Sequence, residues 1–481
     1  MKLNTEVIKN LDLKNKINND FFYMLLTEEG VVNDLFSNES TAGFTWGEWD
    51  RTIELIEKLA VENNFLTSFS MDEDKYLVFN FLVFFPSFSN GFIRYFLKDI
   101  LKLKESKLLI LLTNKDITYQ IVSELNRVLP LKVSNLTPKK LLFIVLAAFQ
   151  HNIYSHNEEI KLIDKVILVY ENTKNHDWEI LLRFLKERRL SVIRSNYDSL
   201  SVGKHRTRLR CALIISGQFR YPTNNVDSLI EKVSINSHID LNKVFVASWN
   251  KLGGYCLNET NKFYRHLTKG ALNLIDEKAV NLSSLMKEME VKKNIDSEIS
   301  IENITSENSV DLNCILNEEE SNVYLKMTNP EKMYYNNYLW VERLGVDYFM
   351  ENFDLLIKVR PDIDILNFTS SLNNLDIDSV LAEEGYVFKR WGFGVGDQVL
   401  VGSPKAMLPL LSCYSDEDVI SLVELLYGKK DKYRGHINIG LRAWLNNINV
   451  KRIPNFKHML IKPPMIDENE IDTYLSNTRG L

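Results

Sequence analysis

The chain has 481 residues, 45% hydrophobic and 25% charged, a composition of folded globular domains and a length that calls for two or three of them. A formal charge of −6 gives no overall attraction to nucleic acid, so a nucleic-acid partner is not expected. The four cysteines, Cys211, Cys256, Cys314 and Cys413, are too scattered for a disulfide framework or a zinc site built from thiolates, and a reducing cytoplasm fits them best.

The first ten residues lack the apolar core of a signal peptide. Residues 1–200 predict a mostly α-helical domain. Residues 49–63 carry Ile53, Leu55, Ile56, Leu59 and Ala60 near a helical stripe. Residues 91–103 continue the pattern with Phe92, Ile93, Phe96, Leu97 and Ile100. Thr137 and Pro138 mark a helix start, cap and first turn. Further helices are expected at 158–171 and 177–187. The longest apolar runs, 76–85 and 141–149, fall short of the roughly 20 residues a bilayer requires and predict buried helices. The aromatics Phe79, Phe81, Phe84, Phe85, Phe88, Phe92, Tyr95 and Phe96 belong to helix cores on this reading, with an acceptor or lipid-facing surface as the alternative.

Residues 195–210 are polar and then basic (Lys204, His205, Arg206, Arg208, Arg210), with 201–210 taken as the linker. From Cys211 the pattern changes. An apolar run, 211–215, leads into Ser216, Gly217, Gln218 and Arg220. A helical stretch follows at 225–233. A second strand, 243–248, ends at Trp249. Strand, helix, strand at this spacing predicts an α/β domain over 211–481 with a mostly parallel sheet. Ligands of such sheets bind beyond the carboxyl ends of the strands. Residues 292–320 are rich in Asn, Ser, Glu and Asp and predict a flexible insertion. Residues 329–344 predict a helix with Pro330 in its first turn.

The apolar strand that begins near Phe353 runs into Arg360, Asp362 and Asp364. Alternate residues of an extended chain share a face, so the two carboxylates can reach one divalent cation. Mn²⁺ or Mg²⁺ would bridge them to substrate phosphates. Three other Asp-x-Asp pairs exist. Asp72/Asp74 lies in the helical half. Asp376/Asp378 follows a polar turn. Asp416/Asp418 reads as helix capping. Arg360 can brace the carboxylates or meet a diphosphate bidentately. After a strand at 385–390 come Gly392, Gly394 and Gly396, which allow close backbone approach, then Asp397, Gln398 and another strand. Asp397 is placed to orient or deprotonate an acceptor hydroxyl, ahead of Glu383 and Glu384. His436, with His458 as competitor, is the candidate third metal ligand.

Ile214 to Gln218, Ala247 to Trp249, Lys358 to Asp362 and Gly396 to Gln398, in that order, resemble bacterial surface-polysaccharide glycosyltransferases of the WavE type and related capsule and O-antigen enzymes. The resemblance covers about 211–450. It implies a GT-A-like fold and a metal at Asp362/Asp364. It also implies a nucleotide-sugar donor held near Ser216, Gly217, Gln218, Arg220 and Trp249, with Asp397 and Arg360 catalytic. The acceptor would be a glycan or lipid-linked saccharide, handled in the cytoplasm or peripherally at the inner face of the membrane in a polysaccharide-synthesis complex. A nucleotidyl- or phosphosugar-transferase and a non-catalytic interaction scaffold are the competing readings.

Overall fold

The computed structural model describes residues 46–62, 75–88, 92–129, 135–195, 208–219, 226–251, 263–278, 280–293, 310–318, 326–369, 375–389, 391–461 and 465–479, with isolated positions between them. The chain forms two compact units, Met1–Val192 with Val387–Phe393 and Ile193–Tyr386 with Gly394–Leu481. No described helix is long and apolar enough to cross a membrane.

The first unit is helical: α1 (Trp46–Glu62), α2 (Lys75–Phe84), α3 (Phe92–Ile100), α4 (Glu105–Leu112), α5 (Lys115–Val128), α6 (Pro138–Gln150), α7 (His156–Tyr170) and α8 (His176–Ser195). The ends carry the chemistry their residues predict. Thr137 Oγ1 accepts the Lys140 amide at 3.2 Å, with Pro138 in the first turn of α6. Ser155 and Glu158 form a reciprocal capping box on α7. Phe79, Phe81, Phe84, Phe85 and Phe92 are buried, while Tyr95 is exposed, so most of the aromatic run is core. The α7 and α8 helices are joined by a buried ion pair. Arg188 Nε and Nη2 donate to Glu159 Oε1 and Oε2 at 2.8 and 2.9 Å. A guanidinium with no exposure is tolerated there because a fork of donors meets a fork of acceptors.

The second unit is built on a seven-stranded sheet of order β10-β6-β9-β4-β1-β2-β3. Its strands are β1 (Leu209–Ser216), β2 (Ile239–Trp249), β3 (Asp311–Asn317), β4 (Leu355–Val359), β6 (Ser379–Ala382), β9 (Val399–Gly402) and β10 (Asn449–Arg452). Six run parallel. The β9 strand alone is reversed, between β4 and β6. A two-stranded sheet pairs β5 (Ile363–Asn367) with β11 (Lys457–Leu460), and another pairs β7 (Tyr386–Lys389) with β8 (Gly392–Val395), whose residues Val387–Phe393 count with the first unit.

The period-2 alternation of β1 divides the core. Cys211, Leu213 and Ile215 pack with Val226, Leu229, Ile230 and Val233 of α9 (Val226–Ser234). Ala212 and Ile214 pack on the other face, against α12 (Asn329–Leu344), α13 (Val346–Asn352), α14 (Pro404–Leu411) and α16 (Gly435–Leu445). The remaining α-helices among the described residues of this unit are α10 (Lys269–Glu277), α11 (Leu282–Lys293), α15 (Glu417–Tyr427) and α17 (Glu468–Arg479). Asp416 caps α15, its Oδ1 accepting the Val419 amide at 3.1 Å, as the capping reading expects.

One expectation is corrected. The span 292–320 is not wholly an insertion loop, because β3 lies within it and pairs with β2 from Lys243↔Asp311 to Trp249↔Asn317. As the sheet's edge strand it is only half-buried, so its Asn and Asp residues are tolerated on the open side. Of the expected linker 201–210, Leu209 and Arg210 belong to β1, and residues 201–207 lie outside the described residues.

Candidate active site

Strand order reverses between β1 and β4. From β1 the sheet proceeds to β2 and β3 on one side and to β4 on the other, which makes the β1/β4 carboxyl edge a topological switch point, the usual ligand crevice of such sheets. At that edge β1 ends at Ser216, followed by Gly217, and β4 ends at Val359, followed by Arg360 and Pro361. Gly217 has φ +128° and a Cβ there would lie 3.3 Å from Pro361 Cδ, so glycine lets the two loops meet.

Beneath the edge lies a layer of amides and hydroxyls from α12 and the strand ends. The Ser216 hydroxyl donates to Asn337 Oδ1. Asn317, at the end of β3, donates to Asn336 Oδ1 at 2.9 Å and to the Ser248 carbonyl at 3.3 Å. Gln218 Nε2 reaches the Lys251 carbonyl at 3.2 Å. Trp249 is buried, with the Lys332 ammonium 5.5 Å from its ring centre. Its place is in the core beneath the edge. Arg220, Asp72 and Asp74 lie outside the described residues.

Two cations and three carboxylates gather where β4, β6 and β9 end or begin. Arg360 Nε and Nη2 donate to Asp362 Oδ1 and Oδ2 at 2.9 and 2.6 Å. Burial works against the guanidinium charge, but Asp362 more than offsets it and holds the Arg360 pKa above its ordinary value. The Lys358 side chain is fully buried on the helix-covered face, and its ammonium donates to the Asp397 carbonyl. Burial pushes its pKa down to about 8, although Asp397 pulls the other way. Glu383 Oε1 and Oε2 accept the Gln398 and Val399 amides, each at 2.9 Å. Burial raises the Glu383 pKa and these two bonds oppose it. A Cβ on Gly396 would fall 2.5 Å from the Glu383 carboxyl carbon, so glycine is required for this clasp.

Asp397 is 3% exposed. Its carboxylate faces the first turn of α16, where a Cβ on Gly435 would lie 3.7 Å from Oδ2. His436, on that turn, has Nδ1 3.1 Å from the Val395 carbonyl and 3.4 Å from Asp397 Oδ1. The Tyr334 hydroxyl donates to the Gly435 carbonyl and pins this helix start from below. The helix docks closely because Gly440 meets Gly394, with a Cβ on Gly440 only 2.7 Å from Gly394 Cα.

The metal expectation does not fit this arrangement. Asp362 sits in the turn before β5, buried, with both oxygens on Arg360. Asp364 belongs to β5 itself, opposite Met459 of β11. The alternate-residue rule holds within one strand, and these two residues do not share one. His436 turns to Asp397, and His458 Nε2 lies 2.8 Å from Gln398 Oε1 with its ring stacked on Phe456. Burial lowers the His458 pKa. Among the described residues no group of three or more His, Cys, Asp or Glu side chains is placed to hold a metal ion.

Sequence reasoning passed over Lys358, a charged residue inside the apolar strand Leu355–Val359, and the α12 amides Asn336 and Asn337. The lysine had a visible signal in its position at the buried centre of a strand. The amides had none, since two asparagines on a helix are ordinary.

No family model, curated protein or solved structure matches the chain.

Proposed function

We propose that the second unit is a glycosyltransferase domain of GT-A-like fold that moves a sugar from a nucleotide-sugar donor to a glycan or lipid-linked acceptor. We place it in bacterial surface-polysaccharide synthesis, at the cytoplasmic side. One observation carries the reading. A β1 loop packed on the β4 loop through Gly217 and Pro361, an arginine and a buried acid with its histidine all converge on the carboxyl edge at the strand-order switch point.

The donor's diphosphate lies across Gly217 and Arg360 in this reading. Arg360 spends Nε and Nη2 on Asp362, which leaves Nη1 to meet a phosphate oxygen and offset charge developing on the leaving group. The Asp362 clasp fixes the direction of that fork. The acceptor hydroxyl approaches from the side of Asp397, whose buried charge favours loss of its proton.

The test is a thermal-shift and turnover screen of uridine, guanosine and thymidine diphosphates and their sugars, with and without Mn²⁺. Ligands that bind only the native state raise the melting temperature, by the equivalent of about 2.7 kcal/mol at a hundredfold excess over Kd. A shift with one nucleotide, together with release of nucleoside diphosphate, is expected. Release of monophosphate or pyrophosphate would point to a nucleotidyl- or phosphosugar-transferase. No shift with any nucleotide would favour a scaffold.

A further inference from the structure

We infer that His436 is the general base of the transfer reaction and that Asp397 is its positioning residue. This rests on the glycosyltransferase reading and revises one part of it, the group that takes the acceptor proton.

Burial separates the two roles. Asp397 is enclosed by the Lys358 ammonium on its backbone carbonyl, the start of α16 and the imidazole of His436. Its side chain is 5% exposed, whereas that of His436 is 41% exposed. A base must come within hydrogen-bond reach of the hydroxyl it deprotonates, and of the two only the imidazole is presented to an incoming substrate.

Tautomer logic then assigns the ring. The Val395 carbonyl can only accept, so Nδ1, 3.1 Å away, carries the proton. The lone pair therefore resides on Nε2. Asp397 Oδ1 lies 3.4 Å from Nδ1, near the ring but short of hydrogen-bond geometry. When Nε2 gains a proton the ring becomes a cation, and this buried carboxylate stabilises it. The carbonyl sets the tautomer and the carboxylate supports the charge, two tasks that a single carboxylate performs in a Ser-His-Asp triad.

The step balances without a further reactant. The acceptor O–H proton passes to His436 Nε2. The acceptor oxygen forms a bond to the anomeric carbon of the donor. The bond from that carbon to the diphosphate oxygen breaks, and its electron pair leaves on the nucleoside diphosphate. Direct displacement inverts the anomeric configuration.

The experiment uses the full chain, p-nitrophenyl glycosides as acceptors and the nucleotide-sugar panel as donors. His436→Ala is expected to lower kcat by about 10²- to 10⁴-fold with little change in donor KM. Added imidazole should restore part of that rate, which a merely structural histidine would not allow. Asp397→Asn should cost less and show no rescue. His436→Gln guards against a cavity effect, and equal melting temperatures certify folding. Nitrogen NMR of the histidine rings should show His436 protonated on Nδ1, a readout independent of substrate. An Nε2-protonated ring, a retained anomeric configuration, full activity in His436→Ala, or a loss that imidazole does not rescue would each overturn the assignment. If the wild type releases no nucleoside diphosphate from any donor, the glycosyltransferase reading falls and this role with it. Activity in the wild type that His436→Ala keeps defeats the histidine alone.

Discussion

Replacing Lys358 by methionine should flatten a rise of stability with pH that the buried ammonium imposes on the wild type. Burial lowers its pKa from 10.5 to about 8, while the unfolded chain keeps the higher value. Below about pH 8 both states are protonated and the native state bears the full cost of a buried charge. Between about 8 and 10.5 the unfolded chain binds a proton that the native chain does not, so stability rises with pH. The gap corresponds to about 3 kcal/mol at pH 7, of which about 2 kcal/mol should return by pH 9.5. Methionine fills a similar volume at a cost usually below about 1.5 kcal/mol. It abandons the Asp397 carbonyl for about 1 kcal/mol more, and neither cost depends on pH. Urea unfolding of both proteins across this range, followed by tryptophan fluorescence, reads the difference in slope. Parallel stability curves would show that Lys358 does not titrate as its surroundings require, and the reasoning would fail.

Gly440→Ala should drive α16 off Gly394. A Cβ 2.7 Å from a backbone carbon needs about 1 Å of withdrawal to reach ordinary contact, at about 1–3 kcal/mol, less up to about 1 kcal/mol from better helix propensity. His436 lies one turn earlier on the same helix, so its 3.1 Å contact to Val395 should be lost. Turnover should then fall with the melting temperature, and a variant matching wild type in both would refute the close-packing argument. Arg360→Lys replaces a two-pronged clasp with a point charge. It should weaken nucleoside-diphosphate binding about tenfold and cost about 1–3 kcal/mol of stability. Titration calorimetry and thermal melting check these, and unchanged affinity would remove Arg360 from the donor site.

The sequence exposes much of this fold because buried strands must be apolar. The β1, β2 and β4 runs are legible for that reason, and the helix over Asn329–Leu344 is announced by Pro330 in its first turn. The β3 strand was hidden because an edge strand needs apolar residues on one side only, and Asp311 and Asn313 blend into the polar stretch before them. The three glycines promised close backbone approach, and Gly394 against α16 provides it, but no sequence pattern names Gly440 as the other half. The site was legible in its members and not in its pairings. Arg360, Asp362, Asp397 and His436 all stood out. That Asp362 answers to Arg360, and His436 to a residue 39 positions earlier, follows from strand order and helix docking, which local spacing does not encode. The Asp-x-Asp rule failed at one peptide, because the strand ends before Asp362 and a new one begins at Ile363.

The single reversed strand also divides the molecule into an edge that can change and an edge that cannot. Because β9 runs against its neighbours, the residues that precede it arrive beside the residues that follow β4 and β6, and all three stretches are locked together by Glu383 and the Arg360 amide. An added residue at 396–398 would shift that whole assembly. At the opposite edge the turn before β2 is held by the buried Asn236, which donates to the Phe368 carbonyl at 3.3 Å, while the neighbouring Ile235 is 60% exposed. An affinity handle or reporter domain grafted there would hang from the back of the sheet, leaving the chemistry at the front as it was.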